Sequence, residues 1–142
     1  MRKINEIIIH CAATPNGKEF TVYDIDRWHA ERGFHRTNKY FTPDLKAIGY
    51  HLVIYIDGTV HAGRDIAEIG AHCEGHNSGS IGICLIGTDE FSPAQWEALA
   101  DVIRKMREQY PEAIIRGHRD VPGVHKECPG FDVATWLEKA DL

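Results

Sequence analysis

His10 closes an apolar run, Ile7-Ile8-Ile9, near the start of the chain, whereas His118 and Cys128 stand near its end in Arg116-Gly117-His118-Arg119-Asp120 and Lys126-Glu127-Cys128-Pro129. If these side chains serve one purpose, the chain must fold its two ends together. Two imidazoles and a thiolate form a donor set that suits zinc, and three protein ligands instead of four leave one position for water. That open position separates a catalytic zinc from a structural one. His10 is a polar ring directly after a buried-looking strand, where both ring nitrogens need partners. His118 likewise follows Ala113-Ile114-Ile115, with Gly117 permitting close approach. Strand ends of a mixed sheet are a common place for sites. Spacing leaves two alternatives open: three unrelated residues, or participation of His125, three positions before Cys128. His29 lies on a helical pattern and by itself needs no function.

The remaining punctuation predicts the elements. A first strand covers about Glu6 to Cys11. Thr21 and Asp24 form an approximate capping box for a helix with Val22, Ile25 and Trp28 on its apolar stripe, ended by Gly33. Tyr50 to Ile56 and Thr59 to Ala62 flank Asp57-Gly58, the strongest short hairpin signal. Ser80 to Gly87 reads as a strand apolar on both faces, hence central. Ser92-Pro93-Ala94-Gln95 opens a helix that carries Trp96, Leu99, Ile103, Met106 and Tyr110 and stops before Pro111. Ala113 to Arg116 is a short last strand, and Asp132 caps a terminal helix containing Trp136 and Leu137. The order β-α-ββ-β-α-β-α predicts an α/β (mixed α+β) fold, a central mixed sheet flanked by about three helices. Phe34 to Ile48 has no clear period and reads as a long loop or a short extra element.

With 142 residues there is room for one domain, 1–142, around a single core. A net charge of −5 argues against nucleic acid as the main partner. The charged start is followed by only three apolar residues, so no secretory signal is expected and synthesis in the cytoplasm is. No stretch approaches the ~18 apolar residues of a membrane span. Cys11, Cys73, Cys84 and Cys128 are expected as free thiols apart from one metal ligand, with Cys84 buried and inert.

His10-Cys11-Ala12-Ala13-Thr14, Gly49-Tyr50-His51, Asp57-Gly58-Thr59-Val60, Ala62-Gly63-Arg64, Gly70-Ala71-His72, His76-Asn77, Ser80-Ile81-Gly82-Ile83 with Gly87, Gly117-His118-Arg119 and Cys128-Pro129-Gly130-Phe131-Asp132 follow one another in register. Together they resemble the zinc-dependent N-acetylmuramoyl-L-alanine amidases of type 2, a family that includes phage amidase-type lysozymes and shares a fold with peptidoglycan-recognition proteins. The resemblance runs from about residue 6 to 138. It implies His10, His118 and Cys128 as ligands of one zinc per chain, which demotes His125. It further implies Tyr50 and Lys126 as catalytic residues, with His51, His72 and Asn77 as candidate substrate contacts.

The implied reaction is hydrolysis, by zinc-activated water, of the amide between N-acetylmuramic acid and the L-alanine of the stem peptide. Peptidoglycan is then the partner, the cell wall the place of action, and a monomer the expected state. Two departures stand out: the chain lacks the N-terminal extension of the phage lysozymes, and its Phe34 to Ile48 segment is longer. That segment carries Phe34, Arg36, Lys39, Tyr40, Phe41 and Lys46, either as a substrate wall or as a small satellite core under a loop. Glu74 and Glu127 are near the motifs, but neither matches the position of the glutamate base in some bacterial relatives. Two rival classes remain: a non-catalytic peptidoglycan-binding module of the same fold, and a cysteine hydrolase using Cys11 or Cys73.

Overall fold

The computed structural model describes residues 2–142; Met1, the first residue of the charged start, lies outside the described residues. Strands β1 (Glu6–Cys11), β2 (Leu52–Ile54), β3 (Val60–Ala62), β4 (Ser80–Leu85) and β5 (Ile114–Gly117) form one sheet in the order β3-β2-β4-β1-β5. β1 runs parallel to β4 and β5, and β2 runs parallel to β4. β3 alone is antiparallel, folded back on β2 through a turn in which Gly58 takes φ +86°. With α1 (Val22–Glu31), α2 (Pro93–Gln109) and α3 (Val133–Lys139), the order of elements is the one expected. The hairpin's regular arms are shorter than expected, although Gly63 N–H to His51 O and Tyr55 N–H to Thr59 O extend the pairing beyond them.

Both capping boxes are present, Thr21 with Asp24 at α1 and Ser92 with Gln95 at α2. Each satisfies amides that the first helical turn leaves unpaired. β1 and β4 sit in the middle of the sheet and are buried on both faces. On one face Ile7, Ile9, Ile81, Ile83 and Leu85 pack against Leu99, Val102, Ile103 and Met106 of α2 and Val133 and Leu137 of α3. Burial of each such side chain stabilises by about 1.5–3 kcal/mol. The opposite face has Val53 and Cys84 under Val22 and Ile25 of α1, together with Leu45 and Ile48.

Phe34 to Ile48 contains neither helix nor strand, yet tertiary bonds fasten it. The Arg36 guanidinium pairs with Glu68 at 3.0 Å and donates to the carbonyls of Phe41, Thr42 and Leu45. The Asp26 carboxylate accepts from the amides of Lys46, Ala47 and Ile48. Leu45, Ala47 and Ile48 are buried, so the C-terminal end of this segment is core, held by the clamp around Arg36 and Asp26. Arg36 is therefore no substrate cation. Tyr40, at 94% exposure, stands apart from both the core and the cleft described next.

Candidate active site

β1 delivers His10 opposite Cys84 of β4, and β5 ends at Gly117 beside Ile9. His118 opens the next turn, so the two imidazoles leave neighbouring parallel strands with ring centroids 4.5 Å apart. Cys128 arrives on the following loop, tied down by Arg119 N–H to Cys128 O at 2.8 Å. The Cys11 N–H lies 3.2 Å from Cys128 Sγ. A Cβ at position 117 would lie 2.7 Å from Pro129 Cδ, so only glycine lets the Cys128-Pro129 segment approach β5 this closely.

Ligand atoms of His10, His118 and Cys128 lie within 4.8 Å of one another. His10 Nδ1 is 3.9 Å from Cys128 Sγ. A tetrahedral zinc with ordinary bond lengths holds a nitrogen and a sulfur donor about 3.6 Å apart, so the residues fit that ion. His125 lines the same cleft but is outside this group.

The electrostatics favour neutral imidazoles. Burial, then the neighbouring His72 and His118 rings and Lys126, hold the His10 pKa well below its usual value. Burial and then Lys126 lower that of His118. Both rings are therefore neutral near pH 7, as metal ligation requires. The two neighbouring thiols influence each other: Cys128 lowers the Cys11 pKa to about 7, whereas Cys11 and burial push that of Cys128 up. The Cys11 amide, donating to Cys128 Sγ, works the other way and offers some support to a thiolate there.

The trio forms the floor of a cleft of about 780 Å³, whose walls include Phe34, Tyr50, His72 and Lys126. The Tyr50 ring stands 5.2 Å from that of His10. Burial, and then nearby cysteines, push the Tyr50 pKa well above its usual value, so its phenol is a hydrogen-bonding group and not a base. Lys126 is exposed and makes no ion pair among the described residues. Of the two glutamates near the motifs, Glu74 borders the cleft and Glu127 does not. His29, which sequence reasoning left without a role, is buried in the cleft wall. Its Nδ1 accepts the Gly49 N–H at 2.8 Å, holding the backbone that carries Tyr50. No local signal marks it, because its partner is twenty residues away.

The proposed substrate contacts fare differently. His51 is 0% exposed. Its Nδ1 accepts the Gly82 N–H at 3.0 Å and its Nε2 donates to Glu68 O at 2.7 Å, so it pins the start of β2 to β4 and does not line the cleft. Asn77 reaches the cleft, but its Oδ1 accepts the amides of His72 and Cys73 and so shapes that loop. His72 also lines the cleft, with both ring nitrogens engaged by His10 and Ser80. Burial weighs against the cysteine-hydrolase alternative: Cys73 is 3% exposed with its pKa raised by burial, and Cys11 is 7% exposed.

A family model described as N-acetylmuramoyl-L-alanine amidase matches residues 1–131. An endolysin of Klebsiella phage KP32 is 36% identical over 149 residues, covering 99% of this chain and 90% of the phage protein. Among solved structures, the N-acetylmuramoyl-L-alanine amidase LysC from Clostridium intestinale is 27% identical with a TM-score of 0.80, over 99% of this chain and 87% of LysC. A Drosophila PGRP-LB variant in complex with tracheal cytotoxin is 26% identical with a TM-score of 0.74, over 97% of this chain and 82% of its own. With the family model and the phage relative both spanning nearly its whole length, this chain belongs to the N-acetylmuramoyl-L-alanine amidase family.

Proposed function

We propose that residues 1–142 form one zinc-dependent catalytic domain that hydrolyses the amide between the lactyl group of N-acetylmuramic acid and the L-alanine of the stem peptide. The observation that carries this reading is the convergence of His10, His118 and Cys128 donor atoms at the floor of an open cleft. Bound there, zinc supplies Lewis-acid polarisation and an acidified water near neutral pH. Lys126 serves as the cation facing the oxyanion that develops as the amide carbon becomes tetrahedral. Tyr50 orients the nucleophile by hydrogen bonding while keeping its own proton. Phe34 gives the muropeptide an apolar wall. All these groups come from one chain, so a monomer suffices for activity. As in an endolysin, the place of action is the bacterial cell wall.

Similarity to a peptidoglycan-recognition protein raises the alternative of a binder that does not cut. A His-His-Cys group with metal-binding geometry beside a lysine and a half-buried phenol favours cutting, because gripping murein requires none of them. The deciding experiment incubates purified sacculi with the protein, with protein plus chelator, and with chelator-treated protein resupplied with zinc. The expected products are free stem peptides with intact glycan strands, abolished by chelator and restored by zinc. Retention on sacculi without any released peptide would assign the chain to the binding class.

A further inference from the structure

One face of β4 presents only small residues, Ser80, Gly82 and Cys84, across from Ile8 and His10 of β1. The space they leave is filled by the His72 ring. A Cβ at Gly82 would lie 2.6 Å from His72 Cγ, and one at Gly70 would lie 2.8 Å from His72 Cδ2. Side chains at either position would evict the ring. Asn77 fixes the backbone of the same loop by accepting the amides of His72 and Cys73 at 3.0 and 2.9 Å. In this seat His72 Nδ1 meets His10 Nε2 at 2.8 Å, with the rings at 88°, and His72 Nε2 meets Ser80 Oγ at 3.1 Å.

The proton arrangement along this relay matters. His10 turns its other nitrogen, Nδ1, towards Cys128. A ligand must offer a lone pair, so Nδ1 has to be bare and Nε2 has to carry the proton. That proton needs an acceptor, and His72 Nδ1 is the atom in place. His72 then carries its own proton on Nε2 and donates it to Ser80 Oγ. The reverse relay would protonate His10 Nδ1 and close the metal position.

We propose that His72 is a positioning residue: it accepts the His10 Nε2 proton and fixes the tautomer and ring rotation in which His10 presents Nδ1 to the metal. The role rests on the zinc amidase reading above. It replaces the substrate contact expected for His72 from the sequence. As a neutral acceptor, His72 orients the ligand without adding charge to a buried stack of rings, where a carboxylate would be costly.

The test compares zinc affinity, by competition with a chromogenic chelator, in the wild type, H72N and H72F. Visible absorption of the cobalt-substituted proteins reads the ligand geometry. Asparagine offers Oδ1 close to where Nδ1 stood, whereas phenylalanine keeps a flat ring and offers no acceptor. H72F should bind zinc about 10- to 100-fold more weakly, with altered cobalt bands. H72N should stay within a few-fold of wild type, and KM for a muropeptide should be unchanged in zinc-saturated enzyme. Wild-type affinity in H72F would overturn the role. So would an H72N defect equal to that of H72F, which would mean packing alone, or a raised KM with normal affinity, which would mean substrate contact. If H72F does not fold, Ser80→Ala removes the far end of the relay without touching the ring. A few-fold loss of zinc affinity is then expected, and unchanged affinity would overturn the proposal. Zinc uptake that is absent in wild type, or indifferent to Cys128→Ser, would refute the zinc reading and the role with it. That result is distinguishable because it appears before any His72 variant is made.

Discussion

Lys126 and Tyr50 line the same cleft as His10, His118 and Cys128, and on the proposed reading they contribute at different moments. Lys126, exposed and without an ion pair among the described residues, has its full charge available for an oxyanion. Lys126→Ala should keep one zinc per chain by elemental analysis and lose about 100- to 1000-fold in kcat. Near-normal turnover would assign the oxyanion to another cation. His10→Ala and His118→Ala should instead lose the metal, seen in the same elemental analysis before any assay. In the sequence, polar rings after apolar runs draw attention to His10 and His118, but spacing leaves His125 open beside Cys128, and it is the family resemblance that decides between them. His29, His51 and His72 were not separable by sequence. Their roles follow from a Gly49 amide, a Glu68 carbonyl and the vacancy over Gly82, all supplied by distant segments.

At the scale of elements, capping boxes and a helix-initiating proline announce α1 and α2, the Asp132 cap announces α3 and the Asp-Gly turn the hairpin, since each is a local device. The Phe34 to Ile48 segment was illegible for the opposite reason. What orders it is a side-chain pair, Arg36 with Glu68, each 2% exposed, and the Asp26 carboxylate under three amides. Breaking such a buried pair leaves an uncompensated charge, so Glu68→Ala should destabilise by about 3–5 kcal/mol in urea titrations. Arg64, 4.0 Å from Glu68, would be stranded as well. A loss below about 1 kcal/mol would indicate that solvent reaches the pair and that the segment is not clamped. Thr21→Ala removes a single cap and should cost only about 1 kcal/mol.

Considered whole, the molecule stores neutral histidines under its sheet, and acid should expose that. His29 and His51 each have a pKa lowered to about 4, principally by burial. In the unfolded chain both return to about 6.5. Between these values the unfolded state binds more protons, so this stability is fully present above about pH 6.5 and is lost as pH falls through about 4. Each unit of difference is worth about 1.4 kcal/mol. Zinc-free protein should therefore show a falling urea midpoint between about pH 7 and pH 5, and a flat profile would contradict the burial of these rings. The placement of β1 has a further consequence, for synthesis. Its first-made strand lies between β4 and β5, and its histidine is completed by residues 118 and 128. On the ribosome, β1 must wait for nearly the whole chain before it gains its second neighbour and its metal partners. The nascent protein thus has no complete zinc triad, and so no amidase activity on this reading, until synthesis is almost finished.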